Sequence, residues 1–122
     1  MSRLDIEQKL WDEGFDRIMG LDEVGRGCLA GPVVAAGVIL DPNNLIEGIQ
    51  DSKKLSLSER RRLSKEIKKK ALYWTIQEGN LEMIDRLNIL WASLETMDMC
   101  ATSEGANPDY LLVDGNRYLS TL

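Results

Sequence analysis

Two short apolar stretches enclose a turn rich in charge and glycine, and this arrangement constrains the fold more than any other part of the sequence. The stretches are residues 17–21 and 28–34, and the turn reads D-E-V-G-R-G at 22–27. Apolar runs of this length separated by a glycine-rich turn are typical of strands, and two strands joined in this way pair antiparallel. The turn thus holds several polar side chains at the end of one strand.

Five of the six residues of this turn have properties that suit a ligand. Asp22 and Glu23 are adjacent carboxylates that can bring negative charge to a divalent cation. Gly25 and Gly27 let a backbone approach a ligand closely because they lack a Cβ atom. Arg26 offers a planar donor fork suited to phosphate or a sugar edge. Together they indicate metal-dependent chemistry on a nucleic-acid backbone; the alternative is a polar hairpin turn whose acids face water.

The residue types present limit the chemistry open to the chain. Its 122 residues, 43% hydrophobic and 29% charged, suit one soluble domain over 1–122. The sequence has no histidine, which excludes histidine triads and histidine metal ligands, so any catalysis falls to carboxylates. Cys28 and Cys100 are too far apart to indicate a disulfide framework or a zinc site. With no secretory signal and no apolar run long enough to cross a bilayer, we expect a cytoplasmic protein without a membrane partner.

Charge is unevenly distributed along the chain. The net charge is -5, yet residues 53–70 hold nine basic and two acidic residues, a charge of +7 that leaves -12 on the remainder. A basic segment beside an acidic metal site is the pattern expected of a protein that binds phosphates. A solvated helix face rich in lysine and arginine is the alternative explanation.

Apolar periodicity and turn signals predict three helices and four strands. Ser56 and Glu59 have the spacing of a capping box, which starts the second helix. The predicted helices are 4–15, 56–72 and 89–104, and the predicted strands are 18–21, 33–40, 73–78 and 110–113.

Two of these helices carry apolar stripes that we expect to face the core. In the second helix the stripe leaves the basic residues towards solvent and consists of Leu63, Ile67 and Ala71. In the third helix the stripe consists of Leu90, Leu94, Met97 and Ala101. The order of elements then predicts an α/β fold with a mixed sheet flanked by helices.

The fourth strand decides whether the acids can meet. It can lie parallel to the first strand through a helical crossover, and Asp114 would then come next to Asp22 at the carboxyl edge of the sheet. Neighbouring residues of a regular strand point to opposite faces, so Glu23 reaches the same site only if the strand ends or bulges there. Three converging acids would form a metal site, although any one of them could be a surface acid.

Five motifs in one order resemble those of bacterial ribonuclease HII, the type 2 ribonuclease H. They are D-E-V-G-R-G at 22–27, G-P-V-V-A-A at 31–36, D-S-K-K-L-S at 51–56, I-D-R-L-N-I-L-W-A at 84–92 and L-L-V-D-G-N at 111–116. The resemblance implies a ribonuclease H-like fold and cleavage of the RNA strand of RNA–DNA hybrids, including single ribonucleotides embedded in duplex DNA. The nucleic acid is the one partner that it indicates.

The resemblance also assigns roles to particular residues. It implies two divalent ions, Mg²⁺ or Mn²⁺, held by the catalytic acids Asp22, Glu23 and Asp114. One ion would activate the attacking water and the other would stabilise the leaving 3′ oxygen. The segment Gly25-Arg26-Gly27 would contact the ribose 2′-OH, which distinguishes RNA from DNA. Two further residues would contact phosphates, namely Lys53 and Asn88.

Members of this family continue beyond the position of Leu122, with a further strand, a fourth metal-binding aspartate, a tyrosine that recognises the RNA–DNA junction, and C-terminal helices. The chain is therefore expected to be an N-terminal fragment or truncated form of such an enzyme. Two other functions stay open: a non-catalytic nucleic-acid-binding fragment that lacks a complete metal site, and a purely structural α/β domain.

Overall fold

Seven elements form the part of the chain that the structure describes. The computed structural model describes residues 5–23, 34–46, 56–79 and 89–113; for Glu23 and residues 89–93 it describes the backbone. The elements in chain order are α1 (Asp5–Asp12), β1 (Ile18–Glu23), β2 (Val34–Ile39), α2 (Leu57–Lys70), β3 (Tyr73–Glu78), α3 (Ile89–Ala101) and β4 (Tyr110–Val113).

The four strands form one mixed sheet in the order β3-β2-β1-β4. β2 pairs antiparallel with both β1 and β3, whereas β1 and β4 are parallel. The ladder between β1 and β4 opposes Ile18 to Tyr110 and Leu21 to Val113. The predicted mixed sheet, with the fourth strand parallel to the first, is therefore confirmed.

Helices cover both faces of this sheet. Alternate residues of β2 point to opposite faces, and they belong to two different buried clusters. Ala36 and Val38 pack with Leu63 and Ile67 of α2 in one buried cluster. On the other face, the buried cluster that includes α3 consists of Met19, Leu21, Ala35, Ile39, Met97, Cys100 and Ala106. The sheet is thus the middle layer of a helix–sheet–helix sandwich.

The start of α2 follows the sequence prediction closely. The Ser56 hydroxyl accepts a hydrogen bond from the Glu59 backbone N–H at 3.3 Å, and the Glu59 carboxylate accepts one from the Ser56 backbone N–H at 3.4 Å. This is the predicted capping box, which satisfies two N–H groups at the helix terminus. The helix ends at Lys70 and not at residue 72, because the Leu72 backbone N–H donates to the Ile39 carbonyl and so joins the sheet.

The stripe predicted for α3 is partly wrong. Met97 is buried as expected, but Leu94 is 42% exposed, and the fully buried residues of the helix include Thr96 and Cys100. Since successive helical residues are about 100° apart, the packed face is rotated towards positions 96 and 100. The helix also ends at Ala101, before the predicted residue 104, and the chain then passes through Gly105 at φ 88°.

Within residues 5–23, 34–46, 56–79 and 89–113, every helix is too short or too polar to span a membrane.

Gly37 lets α3 approach the sheet closely. A Cβ atom built at this position would lie 3.0 Å from the Met19 Sδ, 3.1 Å from the Cys100 Cβ and 3.2 Å from the Leu21 Cδ2. Contacts this short require neighbouring atoms to move, and both Met19 and Cys100 are fully buried. The missing side chain is thus a packing requirement of the α3 face.

We expect Gly37→Ala to lower the free energy of unfolding by about 1–3 kcal/mol, because an extra methyl group overpacks this core. Urea denaturation followed by circular dichroism measures the change. Lys65→Ala, at an exposed position of α2, is the matched control and should change the stability by less than about 0.5 kcal/mol. Equal stability of Gly37→Ala and the original chain would show that α3 packs less tightly than described.

Cys100 should be chemically inert in the folded protein. Burial raises the pKa of its thiol to about 11, and its Sγ donates to the Ala35 carbonyl at 3.6 Å. The thiolate is the reactive form, and raising the pKa from about 9 to about 11 lowers its fraction at pH 8 about 100-fold. In a Cys28→Ser variant, we expect iodoacetamide at pH 8 to label Cys100 at least about 100-fold more slowly in buffer than in urea. Similar rates would contradict the burial.

Candidate functional site

Asp22 lies near the carboxyl end of β1 and is half-buried. It opposes Ala36 in the antiparallel ladder, and its neighbour Leu21 is buried in the α3 cluster. Because side chains alternate along a strand, the Asp22 carboxylate lies on the other face of the sheet, the face that α2 covers. A carboxylate oxygen is a ligand that Mg²⁺ and Mn²⁺ prefer, so the donor chemistry at this strand end suits such an ion.

The parallel pairing brings the carboxyl ends of β1 and β4 to the same edge of the sheet. Leu21 opposes Val113 in the ladder. In the sequence, Asp22 comes directly after Leu21 and Asp114 comes directly after Val113. The ladder with β2 stays in register up to Glu23, which opposes Ala35. No break in the strand therefore occurs before Glu23, so any bend that lets two adjacent acids share a site lies at or after it.

The remaining predicted site residues lie outside the described residues: Asp114, Gly25, Arg26, Gly27, Lys53 and Asn88. Among the residues that are described, no three His, Cys, Asp or Glu side chains lie close enough to hold a metal ion. The structure thus places the strand that carries Asp22 and Glu23 and the strand that precedes Asp114, and the site itself stays a prediction.

A cationic face runs along α2. Arg61, Lys65 and Lys69 are all exposed, and their four-residue spacing puts them opposite the buried Leu63 and Ile67. Successive members of this trio are about 6 Å apart along the helix axis. The face points away from the sheet, so its charges are accessible to a polyanion.

Two contacts beside the cationic face reduce the number of available cations. The Lys68 ammonium lies 5.0 Å from the centroid of the Trp74 ring, a cation–π geometry on β3. The Lys70 ammonium lies 3.0 Å from the Glu66 carboxylate, and this hydrogen bond lowers the pKa of Glu66. Both acids of the basic segment, Glu59 and Glu66, lie on other sides of the helix from Lys65.

The opposite end of the β1–β4 pair contains a hydrogen-bonded junction that sequence reasoning missed. The Arg17 guanidinium donates to the carbonyls of Ala106 and Asn107 through Nε, at 2.9 and 3.2 Å. Its Nη2 atom donates to the carbonyls of Gly105 and Ala106, at 3.0 and 2.6 Å. One side chain at the start of β1 therefore holds the connection that leads from α3 into β4.

Asp109 completes this junction from the other strand. Its carboxylate accepts hydrogen bonds from the backbone N–H groups of Asp16 and Arg17, both at 3.0 Å. Its own backbone N–H donates to the Arg17 carbonyl at 2.9 Å. No short motif marks these residues, because the partners are about ninety positions apart in the sequence. A charged residue directly before each of two adjacent parallel strands was the one available signal.

Comparison with known proteins identifies the family. Residues 19–122 match the family described as Ribonuclease HII. The Ribonuclease HII of Idiomarina loihiensis is 57% identical over 100 residues, which is 82% of this chain and 54% of that protein. The Ribonuclease HII of Vibrio parahaemolyticus is 52% identical over 107 residues, 88% of this chain and 51% of that protein. The chain thus spans about half the length of the curated relatives it matches.

Solved structures agree on the fold. The ribonuclease H2 of Pyrococcus horikoshii superposes with a TM-score of 0.66 at 23% identity, over 80% of this chain and 49% of that chain. A variant of the ribonuclease named Bst-RNase HIII superposes with a TM-score of 0.59 at 22% identity, over 83% of this chain and 37% of that chain. The structural likeness confirms a ribonuclease H-like mixed sheet, and the sequence match over residues 19–122 shows that the chain belongs to the ribonuclease HII family.

Proposed function

We propose that this chain carries part of the active site of an endoribonuclease that cleaves the RNA strand of RNA–DNA hybrids and ribonucleotides embedded in duplex DNA. Membership of the ribonuclease HII family supports the reaction class. The single observation that carries the proposal is the parallel β1–β4 ladder, which opposes Leu21 to Val113. We propose further that residues 1–122 form one domain and that the protein acts in the cytoplasm, where chromosomal DNA of bacteria lies.

Asp22, Glu23 and Asp114 would hold the metal ions. Continuing the ladder by one residue would set Asp114 beside Asp22, and the half-buried position of Asp22 lets its carboxylate face both a cation and solvent. Two bound divalent ions would supply an activated water and stabilise the charge on the scissile phosphate. The protein's own part is to align these carboxylates before substrate binds.

Other residues would bind and orient the nucleic acid. Gly25 and Gly27 would let the backbone of their turn approach the ribose, so that Arg26 and the turn amides contact the 2′-OH. Lys53 and Asn88 would contact phosphates of the substrate. These contacts would give selectivity for RNA, because the 2′-OH is the group that DNA lacks.

The cationic face of α2 supports a second candidate function. A fragment that binds nucleic acid without cleaving it needs this face and needs no complete metal site. Arg61, Lys65 and Lys69 would supply it, since all three are exposed. Cleavage and binding must therefore be measured separately.

We expect the chain to cleave a duplex that contains one ribonucleotide when Mn²⁺ is present, and Asp22→Asn to lower the rate at least about 100-fold, because a neutral amide binds the ion poorly. Gel analysis of the labelled strand measures the rate. Asp98→Asn, an exposed acid on α3, is the matched control and should leave the rate unchanged.

Two outcomes would contradict this proposal in different ways. Equal rates for Asp22→Asn and the original chain would show that Asp22 holds no catalytic metal. Binding of the hybrid without any cleavage would identify the chain as the non-catalytic fragment.

We also expect the cationic face to set the salt dependence of binding. Each lost phosphate contact changes the slope of log affinity against log salt by about 0.9 on B-form DNA. Lys53→Ala should flatten the slope by the amount expected for about one lost phosphate contact. The triple variant Arg61→Ala/Lys65→Ala/Lys69→Ala should flatten it by the amount expected for about one to three lost contacts. Fluorescence anisotropy in Ca²⁺, which prevents cleavage, gives the slopes. Lys9→Ala, exposed on α1, is the control, and unchanged slopes in both test variants would show that this charge is solvated surface.

A further inference from the structure

We propose that Arg17 and Asp109 are positioning residues that set the register of β4 against β1 and thereby align Asp22 with Asp114. This inference rests on the proposed function, because it concerns the same pair of strand ends. β1 rises about 3.3 Å per residue, so Arg17 lies roughly 16 Å from Asp22. The two residues therefore act through the strands and touch neither metal nor substrate.

The junction joins the two strands where both begin. Arg17 directly precedes β1 and Asp109 directly precedes β4. Three hydrogen bonds involve the Asp109 carboxylate and backbone N–H, and they reach the backbone of Asp16 and Arg17 at 2.9 to 3.0 Å. Because the first ladder pair, Ile18 opposite Tyr110, comes one residue later, the junction specifies which residues become partners.

The Arg17 side chain holds the segment that leads into β4. Its four hydrogen bonds end on consecutive carbonyls of Gly105, Ala106 and Asn107. Gly105 and Asn107 both have positive φ, 88° and 44°, and Ala106 is fully buried between them. A planar guanidinium holds several acceptors in one geometry, which a flexible ammonium does not do. These hydrogen bonds thus hold the segment between α3 and β4 in one conformation, in which Asp109 lies beside Arg17.

β4 needs such a device because its own ladder is short. It has four residues, lies at the edge of the described sheet, and leaves Leu111 46% and Val113 52% exposed. A burial pattern normally fixes register, since a slip of one residue turns every side chain to the opposite face. With these side chains so exposed, burial discriminates weakly between registers. A slip of one residue would move the end of β4 by about 3.3 Å and turn Tyr110 and Leu112, which share the face of Asp22, to the opposite face.

The test is the Mn²⁺ affinity of the whole chain, measured by electron paramagnetic resonance at a temperature where each variant is folded. We expect Arg17→Ala and Asp109→Ala each to weaken Mn²⁺ binding by about 10- to 100-fold, as changes in groups that orient metal ligands do. Arg17→Lys should recover part of the loss, because one ammonium can donate to some of the same carbonyls. The Asp22→Asn variant gives the Mn²⁺ affinity that remains when the proposed metal site is lost.

Tyr73→Phe is the matched control for loss of structure alone. The Tyr73 hydroxyl shares a 2.6 Å hydrogen bond with Ser103 and donates to the Glu104 carbonyl at 3.0 Å, so the variant loosens the same connection without touching the β1–β4 junction. It should bind Mn²⁺ within about twofold of the original chain, because the partners that orient the metal ligands stay in place.

The failure of this inference differs from the failure of the proposed function. An Asp22-dependent Mn²⁺ site that Arg17→Ala and Asp109→Ala leave intact, or that Tyr73→Phe weakens equally, overturns the positioning role alone. Mn²⁺ affinity of the original chain equal to that of Asp22→Asn overturns the proposed metal site, and the positioning role with it.

Discussion

The parallel pairing of β1 with β4 is the contact on which the proposed site depends. Among the described elements, two helices and two other strands separate β1 from β4 in the sequence, so nothing local brings the two strands together. Parallel neighbours end at the same edge of a sheet, whereas an antiparallel β4 would carry its last residue to the other end. Antiparallel ladders hold β1, β2 and β3 together, and the parallel β1–β4 ladder makes the carboxyl ends of β1 and β4 neighbours.

The layout of charge follows from the same topology. Two residues join α2 to β3, and the Leu72 N–H bonds the Ile39 carbonyl, so α2 runs back along the sheet in the opposite direction to β3. Since β3 and β1 run the same way, the capped start of α2 at Ser56 lies towards the end of the sheet where β1 finishes. The acidic strand end and the start of a cationic helix thus lie at one end of the molecule. A polyanion attracted by the helix would be guided towards bound cations at the carboxylates.

Local patterns in the sequence predicted most of this fold. The bounds of β3 follow from a run of β-favouring residues stopped by glycine, and the start of α2 follows from Ser56 and Glu59, which need no distant partner. The face of α3 was less predictable, because the close contact of Cys100 with the sheet depends on the missing side chain of Gly37, on a distant strand. The junction of Arg17 with Asp109 left one weak signal in the sequence, a charged residue before each of two strands, because it joins side chains to backbone groups about ninety positions away. For the candidate site, the sequence motifs predict which residues take part and in what order. The β1–β4 ladder adds that the ends of these two strands are neighbours.

Paramagnetic broadening by Mn²⁺ tests most directly whether the ends of β1 and β4 form one metal site. Sub-stoichiometric Mn²⁺ is added to the ¹⁵N-labelled chain, and the loss of each amide signal is followed by nuclear magnetic resonance. The account predicts that the amides of Leu21, Asp22 and Val113 broaden together and first, while those of Lys65 on α2 and Asp109 stay sharp until much later. Broadening that begins at surface acids such as Glu104, or that affects β1 without β4, would contradict a shared site at this edge of the sheet.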